Sequence, residues 1–449
     1  MAACNRCGFC TSYCPTYNAT GAETQSPRGR NQAFRALIEG SLKKPEEVRE
    51  IINTCLLCGE CTSVCFSEVP TAFLMIQARG LLTETYGIPK SLKWILYRLL
   101  PNPPLLRKLL KLLFLGKRLG ISAFLNRLGF LKLISPPTAA AEHMMTAAPS
   151  KFLLDEKISQ TLQQKHLDKA QHDTLVLQKK VSDLKKKGQP VPPELLKKSQ
   201  EPPHKPKVAY IAACGSQYLK PSIGVASLKL CRALNTDLMI PDLLCCGLPA
   251  ASYGVIERVK FFALENIKRI ESGKFESLLM DDSSCTSHLK EYPVYFQDDI
   301  NLYGRAYALN QKVREFSLFL WQRGLQNKLA SCSWKDGSVA IHDPCKAQYG
   351  QKLTDPPRQL LKSIPGLKLV SIPDSDQCCG GGGTYSFTYP EISQEVLSKK
   401  VANVLSTGAK TVVTTSTSCL LQLDFGLRTK KADIQVLHLS EFLAKVLKL

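Results

Sequence analysis

Cys4-Asn5-Arg6-Cys7-Gly8-Phe9-Cys10-Thr11-Ser12-Tyr13-Cys14-Pro15 carries three cysteines separated by two residues each and a fourth after three more. Cys55-Leu56-Leu57-Cys58-Gly59-Glu60-Cys61-Thr62-Ser63-Val64-Cys65 repeats that spacing, with Phe66 where the first copy has proline. A loop with three thiolates at this interval wraps one corner of an iron-sulfur cube, and the fourth thiolate lies too far along to reach it. In two-cluster proteins with this spacing the fourth cysteine of each copy crosses to the other 4Fe-4S cluster. The assignment is therefore Cys4, Cys7, Cys10 and Cys65 for one cluster, and Cys55, Cys58, Cys61 and Cys14 for the other. Gly8 and Gly59 fall inside the motifs, where a tight turn benefits from a residue that tolerates positive φ. A chain so built moves electrons.

Two other uses of cysteine fit less well. Zinc ribbons pair two CxxC units rather than a triple with a distant fourth. Disulfides need an oxidising compartment, and only Met1, Ala2 and Ala3 precede the first ligand, too few for a leader. Eighteen cysteines in such a chain point to a reducing compartment and metal ligation, so a cytoplasmic protein is expected.

Length and charge set the outer limits. A chain of 449 residues with 44% hydrophobic residues has room for about three domains. Its formal charge of +21 favours an anionic partner, either an acidic protein or an anionic membrane surface. Nucleic acid is not expected, because the basic residues sit on a leucine-rich stretch without the interleaved aromatics that stack on bases. No run of eighteen uncharged apolar residues occurs, so a spanning helix is not expected.

Outward from the cysteine motifs, residues 1–84 form the twin 4Fe-4S unit, with helices expected at 32–42 and 48–55. Residues 85–149 form a basic segment, in which Lys90, Lys93, Arg98, Arg107, Lys108, Lys111, Lys117, Arg118, Arg127 and Lys132 stand without an acidic residue up to Ala141. Within it, residues 105–114 place leucines at the period of an amphipathic helix with cations between them. Such a helix either packs on the protein's own core with a solvated basic rim or lies on anionic lipid, gaining about 1 kcal/mol per cation near the surface. Residues 150–206 are polar and Lys-rich, and end in a proline group (Pro190, Pro192, Pro193, Pro202, Pro203, Pro206), as expected of a helical hairpin or arm followed by an extended linker.

Beyond Lys207 the pattern becomes that of two α/β units, 207–335 and 336–449. Candidate strands at 208–213 and 338–343 correspond, as do 278–280 and 411–413, and each leads to a cysteine. The first half has Cys214, Cys245-Cys246-Gly247 and Cys285; the second has Cys345, Cys378-Cys379-Gly380 and Cys419. Neighbouring cysteines face one metal only where the backbone bends, and the following glycine permits the bend. Each half thus offers four thiols from three loops at the carboxyl ends of strands, where open α/β sheets place ligands. A further iron-sulfur cluster or zinc is expected there, against a reversible disulfide or inert buried thiols. Cys231 and Cys332 lie outside both patterns, and His288 and His342 read as hydrogen-bonding neighbours rather than ligands. The fold class is α+β and α/β multidomain: a mostly helical two-cluster ferredoxin domain followed by two duplicated α/β CCG cysteine-rich domains.

This arrangement resembles the iron-sulfur subunit of bacterial glycolate oxidase (glycolate/D-lactate dehydrogenase). The similarity rests on residues 7–17, Ser26-Pro27-Arg28-Gly29-Arg30, Ser287-His288-Leu289-Lys290-Glu291-Tyr292, His342-Asp343-Pro344-Cys345, Pro373-Asp374-Ser375-Asp376 and Ser418-Cys419-Leu420-Leu421-Gln422-Leu423. It covers nearly the whole chain apart from residues 150–206. The resemblance implies an electron-transfer role with no catalytic residue on this chain: an FAD-containing partner subunit oxidises glycolate or D-lactate, and the electrons leave to a quinone or other acceptor. It also implies a place at the inner face of the cytoplasmic membrane. The electron-transfer subunit of anaerobic glycerol-3-phosphate dehydrogenase and heterodisulfide reductase share related architectures and are the alternatives. In the latter each CCG unit ends in CxxC, whereas Asp282 and Ser416 stand at the first of those positions here, which argues against disulfide chemistry. No GxGxxG follows a strand, and Gly380 to Gly383 lack the Lys-Ser/Thr of a phosphate loop, so flavin belongs on another chain.

Overall fold

The computed structural model describes residues 4–41, 45–131, 141–145, 147–187, 189–195, 207–273 and 275–449. The amino-terminal unit is helical, with Pro15–Thr20, Pro27–Ile38, Pro45–Asn53, Glu60–Ser63 and Thr71–Tyr86 set around the cysteine loops. Three of these helices begin on proline, whose fixed φ suits the first helical position and whose missing N–H is unneeded there. That is why the two helices expected at 32–42 and 48–55 start earlier than the apolar spacing alone indicated. Phe34, Val48, Ile52, Leu57, Met75, Ile76 and Leu82 make the small core that fixes them.

The cysteine-rich half contains eight strands: β1 Val208–Ile211, β2 Leu238–Met239, β3 Ser277–Met280, β4 Val313–Glu315, β5 Val339–His342, β6 Leu369–Val370, β7 Thr411–Thr414 and β8 Gln435–His438. They form two four-stranded sheets in the orders β2-β1-β3-β4 and β6-β5-β7-β8, all neighbours parallel. The central strands β1, β5 and β7 are buried along their whole length, as parallel strands covered by helices on both faces must be. Val208 stands opposite Ser277 in one sheet and Val339 opposite Thr411 in the other, so the duplication extends to strand register.

The two halves share a core. Val208, Tyr210, Leu228 and Leu230 of the first pack in one apolar cluster with Val339, Ile341, Phe442 and Leu443 of the second. The helix Pro221–Ala233 lies against the carboxyl-terminal helix Leu439–Val446, and Ser227 Oγ bonds Ser440 Oγ at 2.9 Å.

The basic segment wraps the first half. Leu96 is buried in its core, and Arg258 donates to the Leu96 carbonyl at 3.0 Å. In the helix Pro103–Arg118, capped by Asn102 Oδ1 accepting from Leu105 N, the residues Leu106, Leu110 and Phe114 pack on Phe152, Tyr218 and Cys214. Lys132 and the prolines 202, 203 and 206 lie outside the described residues. Residues 157–186 form one unbroken helix, Lys157–Lys186, rather than a hairpin. Neither glycine nor proline interrupts that stretch, so nothing forces the chain to turn. Its approach is anchored, since Leu153 is fully buried in the shared core.

Candidate metal centres

The fold brings the first eight thiols into two groups that exchange their fourth members. Cys4, Cys7, Cys10 and Cys65 line one cavity with Arg28, Asn31 and Phe66, and Cys61 reaches its wall. Cys14, Cys55, Cys58 and Cys61 line the next, with Arg30 and Thr71. Four convergent thiols per cavity is the donor set that a 4Fe-4S cluster requires, so the residues present fit the group. Burial pushes the Cys10 thiol up to about 11, with Cys65, Cys4 and Cys7 adding to the rise. Burial likewise holds Cys61 well above its ordinary value, helped by Cys55, Cys14 and Cys10. Gly8 and Gly59 have φ of 80° and 90°. Arg6 and Leu57, each just before the second cysteine of its motif, are also left-handed at φ 57° and 54°, a repeated strain at matching positions.

Two consecutive residues of the helix Pro27–Ile38 reach one thiol group each. Arg30, 1% exposed, donates from Nη1 to Cys14 Sγ at 3.7 Å and to Thr16 Oγ1 at 2.9 Å, while its Nε donates to the Ile51 carbonyl. Asn31 Nδ2 approaches Cys4 Sγ at 3.9 Å and donates to Thr71 Oγ1 at 3.0 Å. Arg79 Nη2 donates to the carbonyls of Ile52 and Asn53, at 3.1 and 3.0 Å, and to that of Cys55, which fixes the second loop. The sequence analysis held Arg30 only as part of a resemblance and did not single out Asn31 or Arg79, because their roles arise where distant segments meet.

In each cysteine-rich half the four thiols lie near enough to shift one another's titration. They are Cys214, Cys245, Cys246, Cys285 in the first and Cys345, Cys378, Cys379, Cys419 in the second. The hydrogen bond from its neighbour Cys245, followed by burial, keeps Cys214 well above its ordinary value; Cys378 and burial do the same to Cys345. Gly247 and Gly380 have φ of 90° and 79°, which supplies the bend after each cysteine pair. Gly380 N lies 3.4 Å from Cys378 Sγ as a donor. Not all these thiols are on loops: Cys285, Cys345 and Cys419 stand in the first turns of Ser283–Lys290, Cys345–Gln351 and Thr417–Thr429. Cys231 is buried in the shared core and Cys332 bonds the Lys328 carbonyl, both apart from the centres.

Asp282 and Ser416 meet where the halves join. Asp282 Oδ1 accepts from Ser284 N at 2.9 Å, and its Oδ2 accepts from Thr417 N at 2.8 Å and Ser416 Oγ at 3.4 Å. One carboxylate thereby caps a helix in each half, between Cys285 and Cys419.

The second half also abuts the twin motifs. Cys58 packs in one apolar cluster with Cys378, Cys345 and Tyr385, and burial followed by Cys345 and Cys61 holds its thiol well above the ordinary range. Tyr385 Oη donates to the Thr54 carbonyl at 2.8 Å across the junction. On the far side, a groove of about 980 Å³ runs between the helix Pro103–Arg118 and the first half, lined among others by Arg107, Lys111, Arg118, Tyr218 and Leu243. Cys214 packs against the cluster of Phe114, Phe152 and Tyr218, and Tyr218 lines this groove, so the groove lies near the first half's thiols. The two histidines set aside from the sequence are both fully buried with no hydrogen-bond partner at either ring nitrogen; they differ in that His288 lies 3.5 Å from the Glu291 carboxylate, whereas His342 lies beside Cys379 and Cys419.

Residues 1–69 match the family described as 4Fe-4S dicluster domain, and 208–290 and 339–424 each match the cysteine-rich CCG domain. Fold and thiol pattern together define a multicentre iron-sulfur protein of the dicluster-plus-CCG class. Residues 89–145 match the linker region of the glycolate oxidase iron-sulfur subunit. The chain is 27% identical over 448 residues to the probable glycolate oxidase iron-sulfur subunit of Bacillus subtilis (strain 168), covering 98% of this chain and 92% of that protein. It is 25% identical over 439 residues to the glycolate oxidase iron-sulfur subunit of Escherichia coli (strain K12), covering 96% and 91%. Lactate utilization protein A of Macrococcus caseolyticus is 30% identical over 239 residues, which cover 53% of this chain and 96% of that protein. The chain belongs to the glycolate oxidase iron-sulfur subunit family.

Proposed function

We propose that this chain is the electron-transfer subunit of a flavin-dependent 2-hydroxyacid dehydrogenase that oxidises glycolate or D-lactate, and that it hands electrons to a quinone or another acceptor. Cys4, Cys7, Cys10 and Cys65 would hold one 4Fe-4S cluster and Cys14, Cys55, Cys58 and Cys61 the other. When bound, each cluster exchanges one electron at a time. The observation that carries the reading is the placement of Cys58, a member of the second set, against Cys345 and Cys378 of a CCG centre. Thiol sets in contact leave short gaps, and the residues between them exclude water. The chain's own contribution is to bury and orient these thiols, with Arg30 and Asn31 donating to them.

The absence of a dinucleotide fingerprint in the sequence supports a separate FAD subunit as the partner. The groove beside Cys214 is the favoured acceptor site. It lies under a cationic helix whose outer leucines, Leu112 and Leu113, are exposed, which suits a peripheral contact with anionic lipid at the inner face of the cytoplasmic membrane. Among the described residues no helix is long and apolar enough to cross a membrane. Asp282 and Ser416, engaged with each other, weigh against disulfide reduction at the CCG centres.

The test is anaerobic. The chain purified with its flavoprotein partner should lose visible iron-sulfur absorbance when glycolate or D-lactate is added, and Cys58→Ser should slow or abolish the loss. Bleaching by dithionite but by neither hydroxyacid would contradict the proposal.

A further inference from the structure

We propose that His342 is the nitrogen ligand of a mixed imidazole and thiolate metal site in the second cysteine-rich half, sharing a thiophilic divalent ion, zinc or iron, with Cys379 and Cys419. The inference rests on reading the CCG thiols as a metal centre, and not on the identity of the flavoprotein or the acceptor.

His342 is the last residue of β5, opposite Thr414 of β7, and is fully buried. Neither Nδ1 nor Nε2 has a hydrogen-bond partner. Buried polar atoms are nearly always satisfied, so an imidazole with both nitrogens idle calls for a ligand. One ring nitrogen lies within 4.8 Å of both Cys379 Sγ and Cys419 Sγ, and those two sulfurs are within the same distance of each other. A single ion with metal–N near about 2.0 Å and metal–S near about 2.3 Å closes a triangle of that size with small side-chain adjustments. Cys378, adjacent to Cys379 in sequence, and Cys345, which packs with Cys378, are the candidates for a fourth ligand. Ion binding displaces the protons of the participating thiols to solvent, while the neutral imidazole gives up none.

The first half is different. Its central strand β1 ends on Ile211 where β5 ends on His342, so no imidazole enters from that position. Its own histidine, His288, likewise has no hydrogen-bond partner at either ring nitrogen, but it has the Glu291 carboxylate at 3.5 Å and the rings of Tyr292 and Tyr295 edge-on, and among the described residues no group of ligand atoms like that of His342, Cys379 and Cys419 forms around it. The duplicated sheets therefore carry unequal centres, the mixed one next to Cys58 and the all-thiol one next to the basic groove.

The test uses the full chain purified without oxygen, with metal content measured by mass spectrometry. If zinc is present, X-ray absorption at the zinc edge should show nitrogen together with sulfur in the first shell. If only iron is present, pulsed paramagnetic resonance on protein labelled with 15N-histidine should show a directly bound nitrogen beyond the signals of the twin clusters. His342→Cys should retain the ion with an all-sulfur shell, and His342→Leu should lose it. An all-sulfur shell in the unsubstituted protein, no metal beyond the twin clusters' iron, or His342→Leu with ion and shell unchanged would each overturn the inference. The wild-type spectrum decides even if a variant fails to fold. Twin-cluster signals persisting beside an all-sulfur shell would sink this inference and leave the electron-transfer reading standing.

Discussion

Arg30 shows how single residues set the chemistry of this protein. Its guanidinium is buried, held by Thr16, Thr54 and the Ile51 carbonyl, and pointed at Cys14 Sγ. A donor to a ligating sulfur stabilises the more negative, reduced cluster. Arg30→Lys keeps the charge and loses the fixed fork. It should move the midpoint potential of the cluster on Cys14, Cys55, Cys58 and Cys61 negative by roughly 60 mV, the one-electron equivalent of about 1.4 kcal/mol. A redox titration followed by paramagnetic resonance checks this, with iron content unchanged. The cysteines themselves were legible in the sequence, because a metal cube dictates ligand spacing along one loop. Arg30 and Asn31 were not, since nothing local says that one helix will lay consecutive side chains against two different thiol groups. Nor could the sequence say that Asp282 and Ser416, read separately as missing thiols, meet each other between the halves.

At the scale of elements, the helix Pro103–Arg118 meets the first of the two expectations raised by its pattern, packing on the protein's own core. Leu106, Leu110 and Phe114 pack inward, and Arg107 and Lys111 pair with Asp155 at 2.7 and 3.1 Å. Leu112, Leu113 and Leu115 nevertheless face solvent, as do Ile121 and Phe124 of the following helix Ile121–Arg127, amid cations that lipid phosphates would attract. Replacing Leu112 and Leu113 with serine should reduce sedimentation with anionic vesicles at low salt by several-fold and leave the absorbance of the clusters unchanged. The amphipathic period was legible because helix geometry repeats locally, but which leucines are covered depends on Phe152 and Tyr218 arriving from elsewhere. The strand pairs and their duplication were legible for the same reason as the cysteines: each half repeats apolar run, cysteine, glycine. Of the hairpin or arm expected at 150–206, the structure forms the arm, one helix over Lys157–Lys186, since no glycine or proline breaks that stretch.

Across the whole molecule, two sheets share one core and are tied beside the metal centres. Lys346, next to Cys345 in the second half, lies 3.3 Å from Glu291 of the first, and Ser287 Oγ donates to the same carboxylate at 3.0 Å. Burial alone would raise the Glu291 carboxyl, but Lys346, His288 and Ser287 outweigh it and hold the group well below the usual carboxylate range. Its stabilisation is therefore present above the unfolded carboxyl value of about 4.3 and is lost as pH falls through the lower folded value. Glu291→Gln should lower stability at neutral pH by about 1.5–3 kcal/mol, read by anaerobic thermal unfolding, and the difference should shrink in acid. The tie matters to function because Lys346 adjoins Cys345, which packs with Cys378 and with Cys58 of the twin motifs. The central claim is that the first eight thiols hold two iron-sulfur cubes in adjacent cavities. Iron and acid-labile sulfide, assayed together on oxygen-free protein and on the Cys14→Ser and Cys65→Ser variants, test it most directly. About eight irons and eight sulfides from the twin motifs are predicted, with each variant disturbing the cluster of the opposite motif. Colourless protein without labile sulfide, or variants that disturb only the cluster of their own motif, would contradict the account.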